Sequence, residues 1–234
     1  MKSYRLPKLL ILGAQRSGTT SLFNYLIPHP RIKGSRRKKL HYFNGPFAHW
    51  DVNWYMRQFP EHEEADVGLE ATPFYLWKKG AADFAHTVLP QETKFIALLR
   101  NPVERFWSHF SRRKDGYNLS IDFDNYETYR FLFEIGLYAE QLERWFKYWP
   151  RENFFIQESR EFFNCPPAVT EKICEFVGLP MCRSARYTVH DPLRKSNASY
   201  PPMSSGVKSI LQEKYAEPNK RLFDLLGVEW RHWL

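Results

Sequence analysis

The stretch from Lys8 to Leu26 constrains this chain more than any other. An apolar run, Lys8-Leu-Leu-Ile-Leu12, passes straight into a glycine-bounded loop, Gly13 to Gly18, and then into Leu22, Phe23, Tyr25 and Leu26 at helical spacing. A short continuous apolar run stopped by glycine reads as a strand buried on both faces. Pro28 and Pro30 end the helix, because proline lacks the N–H and its ring collides with the preceding turn. Strand, tight loop and helix in that order open a parallel sheet whose crossovers are helices. The predicted class is α/β, a single domain over residues 1–234 with a central parallel sheet flanked by helices and a P-loop-like phosphate loop.

The remaining pattern supplies the rest of such a sheet. Lys94-Phe-Ile-Ala-Leu-Leu99 is a second buried strand, stopped by Arg100-Asn-Pro102, and a helix follows from Val103 with Phe106, Trp107 and Phe110 on one side. Residues 137–149 form the best amphipathic helix, with Tyr138, Leu142, Trp145 and Trp149 on one face and Glu140–Arg144 and Glu143–Lys147 as i,i+4 pairs. Asn153 to Gln157 reads as a third strand, and 167–178 and 206–226 as helices. No repeat or linker separates a second unit.

The 34 Lys and Arg against 26 Asp and Glu leave a formal charge of +8, which favours anionic partners: nucleic acid, an acidic membrane face, or a polyanionic small molecule or glycan. No apolar stretch approaches the ~18–20 residues of a membrane span, and Leu9–Leu12 is too short for the apolar region of a signal peptide. Cys165, Cys174 and Cys182 fit neither a zinc clamp nor a disulfide framework, so a cytoplasmic setting is the simplest expectation; an excised catalytic part of a longer protein is the alternative.

Gly13-Ala-Gln-Arg16-Ser17-Gly18-Thr19-Thr20 has the spacing of a phosphate loop, in which glycines let the backbone curl and the helix N-terminus adds its positive end. Compared with GxxxxGK[ST], the lysine position holds Thr19 and the cation lies inside the loop at Arg16. The second strand ends in Arg100 where a metal-binding Asp would be required, which argues against NTP hydrolysis. Arg100 stands at a strand's C-terminal end, where ligands of doubly wound sheets sit, and Ser108 follows on the next helix. Together they suit a second phosphate. A Gly-rich turn that only packs helix on strand is the plain alternative.

Gln15-Arg-Ser-Gly-Thr-Thr-Ser-Leu22 and Arg100-Asn-Pro-Val-Glu-Arg105 with Ser108 resemble the two cofactor signatures of sulfotransferases that use 3′-phosphoadenosine 5′-phosphosulfate (PAPS). Lys39-Leu-His-Tyr-Phe43, Gly68 to Tyr75, Leu137 to Trp145, Tyr200 to Met203 and Glu217 to Leu226 are similar to the branch containing heparan-sulfate sulfotransferases and bacterial relatives. The resemblance runs through nearly the whole chain in order. It implies that Arg16, Ser17, Gly18, Thr19 and Thr20 bind the 5′-phosphosulfate, that Arg100 and Ser108 bind the 3′-phosphate, and that Lys195 closes over the phosphates. It further implies in-line attack by an acceptor hydroxyl or amine, with Arg16 neutralising the leaving phosphate.

The resemblance breaks at the general base. Relatives often carry a Glu where this chain has Lys39, and a lysine is a base only when its pKa is strongly lowered. His41 is the leading candidate, since an imidazole accepts protons at neutral pH. Glu70 is the second, although the lysine that accompanies it in relatives is Ala71 here. A His41 that merely packs beside Tyr42 and Phe43 is the alternative. Arg31 to Lys39 holds six basic residues and no acid, either a solvated loop or a funnel for PAPS or an anionic acceptor. The acceptor is a small molecule or a glycan rather than a nucleic acid. Trp50, Trp54, Tyr75 and Trp77 either stack on it or belong to the core. The rivals are a degenerate P-loop kinase or NTPase and a non-catalytic basic module that binds polyanions.

Overall fold

The computed structural model describes residues 1–45, 51–112, 126–181 and 202–234. Five strands, β1 (Leu9–Gly13), β2 (Ile32–Gly34), β3 (Val67–Ala71), β4 (Lys94–Leu99) and β5 (Phe154–Glu158), form one sheet in the order β2-β3-β1-β4-β5. Every neighbouring pair is parallel. The period-2 alternation of side chains divides the two cores. Leu10 and Leu12 of β1 with Phe95, Ala97 and Leu99 of β4 face one, and Leu9 and Ile11 with Ile96 and Leu98 face the other. Burial on both faces explains why these strands read as continuous apolar runs.

The helices are α1 (Thr19–Leu26), α2 (Val52–Met56), α3 (Ala81–Val88), α4 (Pro102–Phe110), α5 (Tyr126–Glu134), α6 (Tyr138–Phe146), α7 (Ser159–Asn164), α8 (Pro166–Phe176) and α9 (Ser205–Leu226). Helices α1, α7 and α8 cover the Leu9 face, through Leu22, Phe162 and Ile173 among others. Helices α3, α6 and α9 cover the other face, where Trp145, Trp149 and Trp233 are buried. None of the helices is long and apolar enough to cross a membrane, among the described residues.

Three expectations change. Strand β3 escapes a periodicity reading because Glu70 interrupts its apolar pattern, and β2 has only three residues. The helix expected over 137–149 ends at Phe146. Its intrahelical ion pairs do not form: Arg221 of α9 takes both Glu140 and Glu143, while Arg144 donates to the Trp77 carbonyl at 3.0 Å. A cross-helix guanidinium that reaches two carboxylates at once displaces the weaker i,i+4 contacts.

Chain order places the cleft. The chain runs from β1 outward through β2 to β3, then crosses over to β4 on the other side of β1. The crevice at the carboxyl ends of β1 and β4 is therefore the topological switch point, where open α/β sheets bind ligands. The Gly13–Gly18 loop follows β1 and Arg100 follows β4.

Candidate active site

The loop after β1 is held open from three sides. Ser159, at the end of β5, donates through Oγ to the Ser17 carbonyl at 2.8 Å. Arg100 donates through Nη1 to the Arg16 carbonyl at 3.4 Å and pairs with Glu104 at 3.2 Å. Arg16 itself has φ 69° and sends Nε and Nη2 across to Ser108 Oγ, at 3.2 and 2.9 Å. The two phosphate motifs are thus one site, with Arg16 between them. Gly18 turns the chain into α1 at φ 96°, and a Cβ there would lie 2.7 Å from the Phe163 ring, so only glycine fits.

Local sequence explains the placement of the second motif. Asn101 caps α4 by accepting from the Val103 and Glu104 N–H groups at 3.0 and 3.5 Å, and Pro102 occupies the first turn, where its missing N–H costs nothing. Tyr138 donates to the Arg100 carbonyl at 2.9 Å. These contacts fix the guanidinium of Arg100 at the strand end, and Ser108 follows two turns into the helix.

Several donors lie at the loop. No side chain caps the N-terminus of α1, and Gln15 Nε2 is buried without a hydrogen-bond partner. Ser17 and Thr19 are buried and Thr20 is exposed. Sequence reasoning missed Lys38, whose Nζ donates to Thr20 Oγ1 at 2.6 Å. Burial, and then the charge of Lys39, push the Lys38 ammonium down to about 8. A lysine thus reaches the loop from the segment that follows β2, a non-local placement that no loop spacing can reveal. Lys195 and Trp50 lie outside the described residues.

The base candidates come from residues 38–43 and from β3. His41 is half-buried, with Nδ1 3.2 Å from Asn44 Oδ1 and the ring edge-on to Phe74 at 6.1 Å. Asn44 Nδ2 also lies 3.2 Å from Nδ1; in the tautomer whose Nδ1 donates to Asn44 Oδ1, Nε2 is the proton acceptor. Burial, and then Lys39, lower its pKa from the ordinary histidine value of 6.5, against the opposing Asn44 contact, so the ring is neutral at pH 7. Lys39 is exposed, and its N–H donates to the Ala71 carbonyl at 2.9 Å. Among the described residues, Arg16, Lys39 and His41 are the three non-glycine residues with positive φ. Each such conformation costs about 1–3 kcal/mol and persists only where surrounding contacts hold it.

Glu70 is fully buried on the β3 face that points into the aromatic core. Its Oε1 accepts from Thr72 Oγ1 at 2.7 Å and Tyr75 OH at 2.8 Å, and its Oε2 accepts from Tyr55 OH. Burial raises its pKa, opposed by these three hydrogen bonds. With no exposed surface and both oxygens engaged, Glu70 does not face the crevice as the expected second base would. Tyr75 is likewise buried, whereas Trp77 and Trp54 are half-buried beside Phe131 and Tyr42.

Comparison with known proteins agrees with this geometry. The sulfotransferase domain model matches residues 6–217. A bifunctional heparan sulfate N-deacetylase/N-sulfotransferase 2 from Bos taurus is 30% identical over 202 residues, 75% of this chain and 22% of that protein. Heparan sulfate glucosamine 3-O-sulfotransferase 6 from Homo sapiens is 22% identical over 97% of this chain and 73% of that protein. The chain spans about a fifth to a third of the length of the bifunctional relatives. A sulfotransferase from Alicyclobacillus acidocaldarius has the same fold, with a TM-score of 0.81, 24% identity, and coverage of 98% of this chain and 99% of that one. A phosphate loop with its cation inside, a second cationic motif at the switch point and a family match over most of the chain lead to one conclusion: this protein belongs to the sulfotransferase domain family.

Proposed function

We propose that this chain transfers a sulfuryl group from PAPS to a hydroxyl or amine of a small-molecule or glycan acceptor. The observation that carries the reading is the contact of Arg16 with Ser108 beneath Arg100, which joins two cationic motifs 92 residues apart in one crevice. A donor with two separated phosphates suits that layout, and the orphaned Gln15 Nε2 and the uncapped end of α1 suit an anion. Arg16, Ser17, Gly18, Thr19 and Thr20 would hold the phosphosulfate end, and Arg100 and Ser108 the 3′-phosphate. Bound there, PAPS supplies a sulfuryl group on a stabilised leaving phosphate.

The residues of the chain divide the remaining work. Arg16 and Lys38 keep positive charge beside the loop, where negative charge develops as the reaction proceeds. His41 Nε2 takes the proton from the acceptor. The exposed Arg36, Arg37 and Lys39 add positive potential beside His41, which favours an anionic acceptor. Relatives named for heparan sulfate sulfation support the glycan half of this reading.

Calorimetric titration with adenosine 3′,5′-bisphosphate tests the nucleotide assignment. Arg100→Ala is expected to weaken binding about 10- to 100-fold, the worth of a charge-assisted contact to phosphate. Unchanged affinity overturns the assignment, and Mg²⁺-dependent ATP binding in its place would favour a kinase.

A further inference from the structure

A carboxylate buried in an aromatic core is costly, and replacing such a group and its partners by apolar residues is commonly neutral or stabilising. Stability alone therefore gives little reason for Glu70 at the centre of β3. Its partners point to another role. A hydroxyl carries one proton, and Thr72 and Tyr75 both direct theirs to Glu70 Oε1. Their lone pairs are thereby turned toward the neighbouring segment, where three successive N–H groups meet them. His41 N–H donates to Thr72 Oγ1 at 3.3 Å, and Tyr42 and Phe43 N–H donate to Tyr75 OH at 2.9 and 3.4 Å. The middle of this hydrogen-bonded segment adjoins His41, whose φ of 57° is a conformation a histidine rarely adopts unaided.

We propose that Glu70 is a positioning residue: through the Thr72 and Tyr75 hydroxyls it fixes the backbone of residues 41–43 and so holds the His41 ring toward the acceptor. The polarity of the whole network follows from the carboxylate. It offers only lone pairs, so every hydroxyl around it must donate inward and accept from outside. A glutamine keeps this polarity when its amide oxygen faces Thr72 and Tyr75 and its N–H meets Tyr55, whereas a leucine removes both acceptors and leaves the Thr72 and Tyr75 hydroxyls without the group that orients them. Tyr55 donates to the other oxygen but touches none of residues 41–43 through that hydroxyl, which makes it an internal control. The inference rests on His41 as the base.

The test combines steady-state kinetics, calorimetry with adenosine 3′,5′-bisphosphate, and amide hydrogen exchange of residues 41–43. Glu70→Leu is expected to lower kcat about 10- to 100-fold through a misplaced base, with acceptor KM and nucleotide affinity each within about threefold. Exchange at residues 41–43 should quicken at least about tenfold, a change visible without any donor bound. Tyr75→Phe should reproduce the loss, and the double variant should lose little more than either single, because both act through one chain of contacts. Thr72→Ser should restore turnover where Thr72→Val does not, and Tyr55→Phe should cost less kcat than Tyr75→Phe. Should Glu70→Leu not fold, the Tyr75 and Thr72 variants decide alone. Unaltered kcat, unaltered exchange, or an equal loss of nucleotide affinity overturns the proposal. A wild-type chain that sulfates no acceptor overturns the function itself, whereas an active wild type with an unaffected Glu70→Leu overturns only this inference.

Discussion

On the proposed nucleotide side of the crevice, two guanidinium groups follow strand ends and a hydroxyl stands on a helix: Arg16 after β1, Arg100 after β4, and Ser108 in α4. On the proposed acceptor side, an irregular segment is pinned by hydroxyls around a buried carboxylate, and the proposed base, His41, occupies a left-handed conformation. The first side, on the proposed reading, binds charge that is always present and can be assembled from local motifs. The second must aim one lone pair, and aim comes from long-range contacts with fixed polarity. Substitutions on the nucleotide side should therefore act mainly on affinity, and those on the acceptor side mainly on turnover.

The sharpest break in that contrast is His41→Ala. It should lower kcat about 100- to 1000-fold, the usual worth of a general base, while nucleotide affinity by calorimetry stays within about twofold. A parallel loss of affinity would merge the two sides. Lys38 lies between them, since it follows β2 yet donates to Thr20 in the loop. Lys38→Met should cost about 10- to 100-fold in kcat/KM and also reshape the pH profile. His41 must be neutral, so activity rises with pH through a pKa below 6.5, and Lys38 must be protonated, so it falls as pH passes about 8. The Lys38 variant should lose the alkaline limb alone. The smallest effect belongs to Lys39→Ala, within about threefold in kcat/KM, because its charge is exposed and screened. Since Lys39 is one of the groups that lower the His41 pKa, its removal should move the acid limb to higher pH.

The sequence exposed most of the nucleotide side. Strand β4 runs over the expected Lys94–Leu99, β1 and β5 are displaced by one residue, and the loop and Arg100 lie at the carboxyl ends that an α/β reading assigns to ligands. These features are legible because burial on both faces, glycine conformations and proline caps leave local marks. Strand β3 left none, because Glu70 breaks its apolar run, and the hydroxyls that excuse the charge come from Tyr55, Thr72 and Tyr75. Lys38 was hidden in a basic run where spacing makes no distinction among neighbours. Only the chain path shows that Lys38 reaches Thr20 while Lys39 faces solvent.

By itself, then, the sequence determined the α/β class, the parallel sheet and two cationic motifs at strand ends, since all of these arise from interactions within a few residues. Tertiary structure decided which lysine joins the loop, that Arg16 meets Ser108, and that Glu70 faces hydroxyls rather than an acceptor. Those outcomes depend on the side of a strand a residue occupies and on partners up to 92 positions away. Burial and hydrogen-bond polarity act through space, and spacing along the chain does not encode them.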